Sequence, residues 1–312
     1  MDRSDPILGF FHAWTRELAQ KFERITVLAL RVGDYDLPPN VRVIYLGGNR
    51  IKRMTNVVLW SLRLEYDSVL VHMSQEFILT GGWLWKLLGK KIYLWRNHYS
   101  GSVLTDIAAA FCTKIFYTSG SSYTMKFKKA VQMPVGVDVD LFASKVSRAP
   151  RSALSLGRIA PSKRLEILLD ALRDVECSAD IYGPADSDYL ERLKARAPGF
   201  VQFRGSVSNY EAPAVFASHD IFVNISPAGM FDKTILEAAA SGCLIVTTSP
   251  DAAALFGEKE VKPEPAVIEE RVEYLFGLPE EEKQKLRERN RQLARKHSLG
   301  ELIKKLCAEL SA

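Results

Sequence analysis

Apolar positions in this chain fall into short runs closed by a glycine, serine, threonine or asparagine, and the stretches between them carry helical spacing. Ile25–Val32, Val41–Gly47, Ser68–Met73 and Lys91–His98 read as strands, with Arg50–Glu65, Gly81–Gly89 and Leu104–Cys112 as helices between them. KIFYTS (114–119) and AVQMPVG (130–136) close the first half as further strands. The second half alternates again, through ALSLG (153–157), ADIYG (179–183), VQFRG (201–205), IFVNIS (221–226) and CLIVTT (243–248). Such alternation predicts an α/β fold with parallel sheets flanked by helices. The strands of the second half end in Gly, Ser or Thr, where ligands meet the carboxyl edge of an open parallel sheet.

The start of the chain departs from this pattern. A doubly wound domain usually opens with a strand, yet Ile7–Phe22 is helical in spacing, with Pro6 suited to its first turn and Ser4 or Asp5 to its cap. The N-terminal domain is therefore expected to lack its first strand. Phe10, Phe11, Trp14, Leu18 and Phe22 share one side of that helix; a core-facing and a membrane-facing role are both open for it. The polar, proline-bearing stretch Lys145–Arg151 reads as a linker between domains at 1–144 and 152–290, and the charged tail Glu280–Leu310 reads as helix.

At 312 residues the chain has room for two cores. Hydrophobic residues at 47% and charged residues at 25% suit a globular chain in water, and no apolar run approaches a membrane span. MDRSDP is no signal-peptide core, so a cytoplasmic location is the expectation. The net charge of +5 admits anionic nucleotides, anionic lipid surfaces or nucleic acid as partners. The basic residues are spread along the chain and no nucleic-acid motif accompanies them, which argues against nucleic acid. Cys112, Cys177, Cys243 and Cys307 are scattered without metal-ligand spacing and read as free buried thiols.

Two segments carry candidate chemistry. In ALSLGRIAPSKR (153–164) an apolar strand runs into Gly157, then Arg158 and Lys163, before the helical run Leu165, Leu168, Leu169, Leu172. Arg brings a flat fork of donors, Lys a point charge, and the helix start adds free N–H groups; together they suit a phosphate. In SPAGMFDKTILEAAASG (226–242) Glu237 follows a turn of small residues and opens a helix, where its carboxylate can accept both hydroxyls of a ribose. Solvated cations at a helix start, and an acid in a first turn favoured by the helix dipole, are the plainer alternatives. The two segments together describe a nucleotide-diphosphate pocket.

These residues resemble the retaining glycosyltransferases of the GT-B fold, specifically glycosyltransferase family 4. GRIAPSKR is similar to the family's Gly-Arg…Lys phosphate motif, and Pro134, Gly136, Val137, Asp138 and Phe142 to its Pro-x-Gly-Val-Asp…Phe segment. IYGPA, VQFRGSVSNYE and TILEAAASG resemble three further family segments in the same order. The resemblance implies two Rossmann-like domains facing across a cleft, with the last helix, 291–312, packing back toward the first domain. It also implies transfer of a sugar from a nucleotide-diphosphate sugar to a glycan or lipid-linked acceptor, with no metal or other cofactor. Arg158 and Lys163 would then stabilise the leaving phosphate, and His98 would lie near the transferred sugar, with Arg96 and Asn97 as alternatives beside it. Donor contacts would come from Gly157, Gly205, Val207, Ser226, Gly229, Met230, Phe231, Asp232, Lys233 and Glu237. Asp232 and Lys233 would either touch the donor or pair with each other. Gly9 and Phe10 stand where the family has an acceptor-side Gly-Gly loop. Peripheral membrane contact, through the first helix or the basic stretch Gly47–Met54, fits a lipid-linked acceptor. The family often carries a glutamate eight positions before Glu237, where this chain has Gly229; a nucleotide-sugar-binding protein without turnover is the alternative.

Overall fold

The computed structural model describes residues 1–5, 8–143, 146–227, 232–257 and 261–311. The chain divides into two compact units, one built on Leu8–Pro134 with Met1–Arg3 and Leu302–Ala312, the other on Val135–Glu301.

The first unit opens with helix α1 (Phe10–Ala19) and strands β1 (Ile25–Ala29) and β2 (Val41–Tyr45). It continues through α2 (Arg50–Arg63), β3 (Ser68–His72), α3 (Glu76–Leu87), β4 (Lys91–Trp95), α4 (Val103–Phe111), β5 (Lys114–Tyr117) and β6 (Ala130–Gln132). Every strand pair is parallel; β1 pairs with β2, and β3, β4, β5 and β6 form a second ladder in that order. The unit thus begins with a helix, and among the described residues no ladder joins β1 to β3.

Helix α1 is shorter than the Ile7–Phe22 expected from spacing; Pro6 and Ile7 lie outside the described residues. Its end is set by Asn40, whose side-chain amide donates to the carbonyls of Ala19 (2.8 Å) and Phe22 (3.0 Å). Its apolar stripe faces the core. Trp14 is 2% exposed and meets Trp95 edge-on at 4.9 Å, with Phe11 5.0 Å from the His72 ring. The membrane-facing reading of this helix is thereby replaced by a core role. Helix α3 starts five residues before the predicted Gly81, because Gly81 and Gly82 serve close packing inside the helix. A Cβ at Gly82 would stand 3.0 Å from the Phe111 ring, where α4 approaches.

The second unit comprises β7 (Ser152–Leu156), α5 (Leu165–Ala171), β8 (Ser178–Tyr182), α6 (Ser187–Arg196), β9 (Val201–Gly205) and α7 (Ala212–Ala217). Then follow β10 (Ile221–Asn224), α8 (Lys233–Ala240), β11 (Leu244–Thr247), α9 (Pro250–Phe256), α10 (Pro265–Gly277) and α11 (Glu280–Lys296). The last helix, α12 (Leu299–Ser311), starts in this unit and continues into the first. A five-stranded parallel sheet runs in the order β11-β10-β7-β8-β9. Strands β10 and β11 are buried throughout and so read as continuous apolar runs rather than alternating ones.

The units divide between Pro134 and Val135, earlier than the linker expected at Lys145–Arg151. Val135, Val137 and Phe142 already belong to the core around Phe216 and Phe222. Lys145 lies outside the described residues, and the rest of that stretch, 146–151, is bound into the second unit: Arg148 donates to the carbonyls of His219 and Ser241, and Arg151 pairs with Glu273 at 2.9 Å. The tail is two helices rather than one. Its backbone at 297–299 is engaged elsewhere: the His297 carbonyl accepts from Gly136 and Val137, and Leu299 donates to Val137. From Leu302 onward α12 belongs to the first unit, where Glu309 pairs with Lys114 at 2.8 Å.

Replacing Trp14 with alanine is expected to lower stability by about 3–5 kcal/mol, seen as a lower denaturation midpoint in urea. A change within about 0.5 kcal/mol would mark the ring as peripheral.

Candidate functional site

The second sheet changes direction at β7. From there the chain steps through β8 to β9 on one side, then crosses to β10 and β11 on the other. The loops leaving the carboxyl ends of β7 and β10 therefore diverge and open a crevice between them.

Glycines let the backbone close up beside this crevice. Gly157 donates to the Tyr182 carbonyl (3.0 Å) and Gly183 to the Gly205 carbonyl (2.8 Å), lacing the ends of β7, β8 and β9. A Cβ at Gly183, where φ is +148°, would stand 1.8 Å from the Gly157 carbonyl oxygen. Beyond Gly157, Ile159 donates to the Pro184 carbonyl, and a short turn at Pro161–Lys163 follows. Arg164 then takes a left-handed conformation (φ 50°) and α5 begins.

This path carries Lys163 across the crevice. Its Nζ donates to both carboxylate oxygens of Asp232 at 2.6 Å and to Ser226 Oγ at 3.1 Å. Asp232 precedes α8 at its N-cap, but its carboxylate makes no capping bond; it also accepts from Asn224 Nδ2 (2.8 Å) and from Ser226 Oγ. The lysine and aspartate side chains are 17% and 21% exposed, so the pair is shielded yet reachable. Arg158 is exposed and makes no hydrogen bond or ion pair among the described residues.

Glu237 is the fifth residue of α8 rather than an acid of its first turn, and the residue is 6% exposed. Its Oε1 lies 3.2 Å from Lys233 Nζ, one helical turn away, while Oε2 makes no hydrogen bond among the described residues. Asp232 and Lys233 thus do not pair with each other; each takes a different partner from the expected donor set. Gly205 ends β9 and Val207 packs partly buried on the core around Phe216. Gly229, Met230 and Phe231 lie outside the described residues. Sequence reading missed Asn224, which holds the Asp232 carboxylate. The available signal was a polar amide ending a strand that is otherwise wholly apolar.

His98, Gly9 and Phe10 belong to the first unit. His98 Nδ1 is engaged by Ser100, whose backbone N–H donates to it at 3.0 Å and whose Oγ and carbonyl oxygen lie 2.9 and 3.2 Å away. The ring stacks on Tyr99 at 4.6 Å. Its neighbours hold the loop: Asn97 Oδ1 accepts from the backbone of Thr118 and Ser119, and Arg96 donates to the Ser100 carbonyl. Gly9 is the N-cap of α1, and Phe10 lies edge-on to Trp14 (5.4 Å) and His72 (6.4 Å). Burial among these rings pushes the pKa of His72 down to about 4.

Against known proteins, residues 150–278 match the family model described as glycosyl transferases group 1. That stretch, within the second unit, is thus similar to a group 1 glycosyltransferase domain. The phosphatidyl-myo-inositol mannosyltransferase of Mycobacterium tuberculosis (strain ATCC 25618 / H37Rv) is 33% identical over 135 residues, which cover 39% of this chain and 36% of that protein. The GtfA subunit of a UDP-N-acetylglucosamine–peptide N-acetylglucosaminyltransferase from Streptococcus pneumoniae serotype 4 is 24% identical, covering 49% of this chain and 33% of that one. The chain therefore aligns with only about a third of the length of these curated relatives. Among solved structures, Anabaena HepE in complex with UDP and glucose superposes with a TM-score of 0.78 at 15% identity, covering 100% of this chain and 98% of that one. Sucrose-phosphate synthase from Thermosynechococcus elongatus gives 0.79 at 14% identity, over 97% and 92% of the two chains. These likenesses show the fold, an α/β architecture of the GT-B class with parallel sheets. The matched stretch, 150–278, contains every site residue named above in the second unit.

A histidine held neutral in the folded chain protonates first in the unfolded one. Its contribution to stability is thus present above the unfolded pKa near 6.5 and is lost as pH falls toward 4. His72→Gln is expected to flatten the loss of stability between those pH values by up to about 3 kcal/mol, measured by urea titrations across the range.

Proposed function

We propose that this protein is a retaining glycosyltransferase that moves a sugar from a nucleoside-diphosphate sugar to a glycan or lipid-linked acceptor. The observation that carries the reading is Lys163 Nζ, drawn across the crevice beside β7 and β10 and held there by an internal carboxylate. An anion already occupies the position that a phosphate would take. The donor's diphosphate displaces Asp232 from Lys163, while Asn224 and Ser226 retain the carboxylate. Exposed Arg158 reaches the same phosphate, and the backbone N–H groups opening α8 add donors. Glu237 Oε2 accepts a ribose hydroxyl while Oε1 stays with Lys233. Gly205 and Val207 flank the base.

Charge grows on the diphosphate as its bond to the anomeric carbon breaks. Cations fixed at that oxygen favour the transition state over the ground state, and they supply this charge without a divalent ion. The acceptor hydroxyl approaches from the leaving-group face, its oxygen bonds to the anomeric carbon, and its proton passes to the departing phosphate oxygen. Configuration at the sugar is retained. The relatives' names specify phosphatidyl-myo-inositol and peptide as acceptors, and the Anabaena structure holds UDP and glucose, which supports this donor and acceptor range.

Incubation with UDP- and GDP-sugars and lipid or glycan acceptors is expected to release nucleoside diphosphate. Lys163→Ala should lower that turnover by roughly 10²–10³-fold. Nucleotide binding without any product would favour the non-catalytic alternative. In Asp232→Asn the lysine loses its charged competitor, and calorimetry is expected to show nucleoside diphosphate binding tightened by roughly tenfold. Equal or weaker binding would show that Asp232 supports the ligand instead of competing with it.

A further inference from the structure

Strand β4 lies between β3 and β5, and its carboxyl end runs straight into Arg96. Ligands of open parallel sheets bind beyond such ends. Three hydrogen bonds fix the Arg96 backbone. Its N–H donates to the Phe116 carbonyl at 2.9 Å, and its carbonyl accepts from Ser122 Oγ (3.2 Å) and Thr124 Oγ1 (3.0 Å), hydroxyls of two buried residues. On the neighbouring strand the register sets Met73 beside it. Met73 donates to the Trp95 carbonyl at 2.7 Å with a φ of 64°, a costly backbone region for methionine. The carboxyl edge of β3 and β4 is therefore a fixed structure.

The Arg96 side chain is held there but not neutralised. Its Nη2 donates to the Ser100 carbonyl at 2.8 Å, while Nε is buried without a partner. Gln75 Oε1, two residues beyond Met73, is buried without a partner as well, so this edge leaves one donor and one acceptor unmet. No carboxylate among the described residues pairs with Arg96. Asp106 pairs with Lys126 at 2.8 Å and accepts from Tyr123 Oη at 3.0 Å, and Glu76, in the first turn of α3, makes no ion pair with Arg96. Burial pushes the arginine's pKa down, Tyr123 raises it, and no acid does. A guanidinium keeps its charge even so, and a half-buried charge without a counter-ion is costly. Lys163 of the second unit meets that cost with Asp232; Arg96 is given no such residue.

We propose that Arg96 is an anion site of the first unit and that the sugar acceptor carries the anion, as a phosphate or a carboxylate. Both groups suit the flat fork of a guanidinium, which a lysine's point charge does not reproduce. The bound oxygens supply the counter-charge that the fold withholds, and Arg96 thereby selects charged acceptors over neutral ones. That the ligand is the acceptor rests on the transferase reading above; the anion site itself does not.

The Arg96 Nε–H resonance of the isotope-labelled full chain, identified by its absence from Arg96→Lys, reads the site directly. Titration with glycerol phosphate or with lactate is expected to shift it, and the anion that does so at the lower concentration names the acceptor's group. Neutral glycerol should leave it in place. The shift should persist in Arg158→Ala/Lys163→Ala, which removes the donor-side cations. Read at the Ser100 backbone amide, anion binding should weaken by roughly tenfold or more in both Arg96→Gln and Arg96→Lys, with the melting temperature of Arg96→Lys matching the parent's. A resonance that neither anion moves overturns the proposal, as does one that glycerol moves equally. So does binding that falls only where the melting temperature falls with it. Sugar transfer that is absent while the resonance still moves would uphold the site and count against the transferase reading alone. Transfer to neutral acceptors that proceeds unchanged in Arg96→Gln would sink the acceptor assignment.

Discussion

The reversal of connection direction at β7 is the constraint on which the second unit's chemistry depends. Strands on either side of the reversal send their loops apart and leave a crevice between them. Lys163 reaches into that space only because the short turn after Pro161 and the left-handed Arg164 redirect the chain before α5 starts. A lysine there without a counter-charge would be costly, since its side chain is mostly withdrawn from water. Asp232 supplies that charge, and Ser226 and Asn224 hold Asp232 in turn. The ion pair thus holds the two loops of the crevice together, and it is the feature on which the proposed phosphate site rests.

The same logic explains why the glycines matter beyond flexibility. The ends of β7, β8 and β9 sit so close that the Gly157 carbonyl occupies the space a Gly183 side chain would need. Close lacing presents the backbone of the β7 loop at the sheet edge and leaves the Arg158 side chain in solvent. The two cations of one motif therefore have different states: Lys163 is neutralised internally, and Arg158 is exposed.

In the first unit the question is how apolar residues are divided between inside and outside. Helix α1 and helix α2 are both amphipathic, yet α1 turns its stripe onto Trp95 and His72 while α2 leaves Ile51 and Leu62 in water. Spacing alone cannot separate these outcomes, because it reports that a face exists and not what covers it. Helix α3 makes the point more sharply, since one side packs Ile78 and Trp85 inward and the other presents Trp83 and Leu87.

Much of this protein is legible in its sequence. Strand and helix alternation marks the α/β class, because short-range periodicity and turn chemistry are written locally, and the run from Gly157 to Lys163 and the helix around Glu237 are the segments on which the proposed nucleotide-diphosphate site rests. Three-dimensional packing settled the rest. Val135–Phe142 joins the second unit because its apolar side chains meet Phe216 and Phe222, residues far away along the chain. The tail breaks at His297 because its backbone bonds to Gly136 and Val137. Lys163 finds Asp232, distant in the chain, because β7 and β10 lie side by side in the sheet. Which charges meet is a property of distances between segments, and a linear pattern carries no such distances.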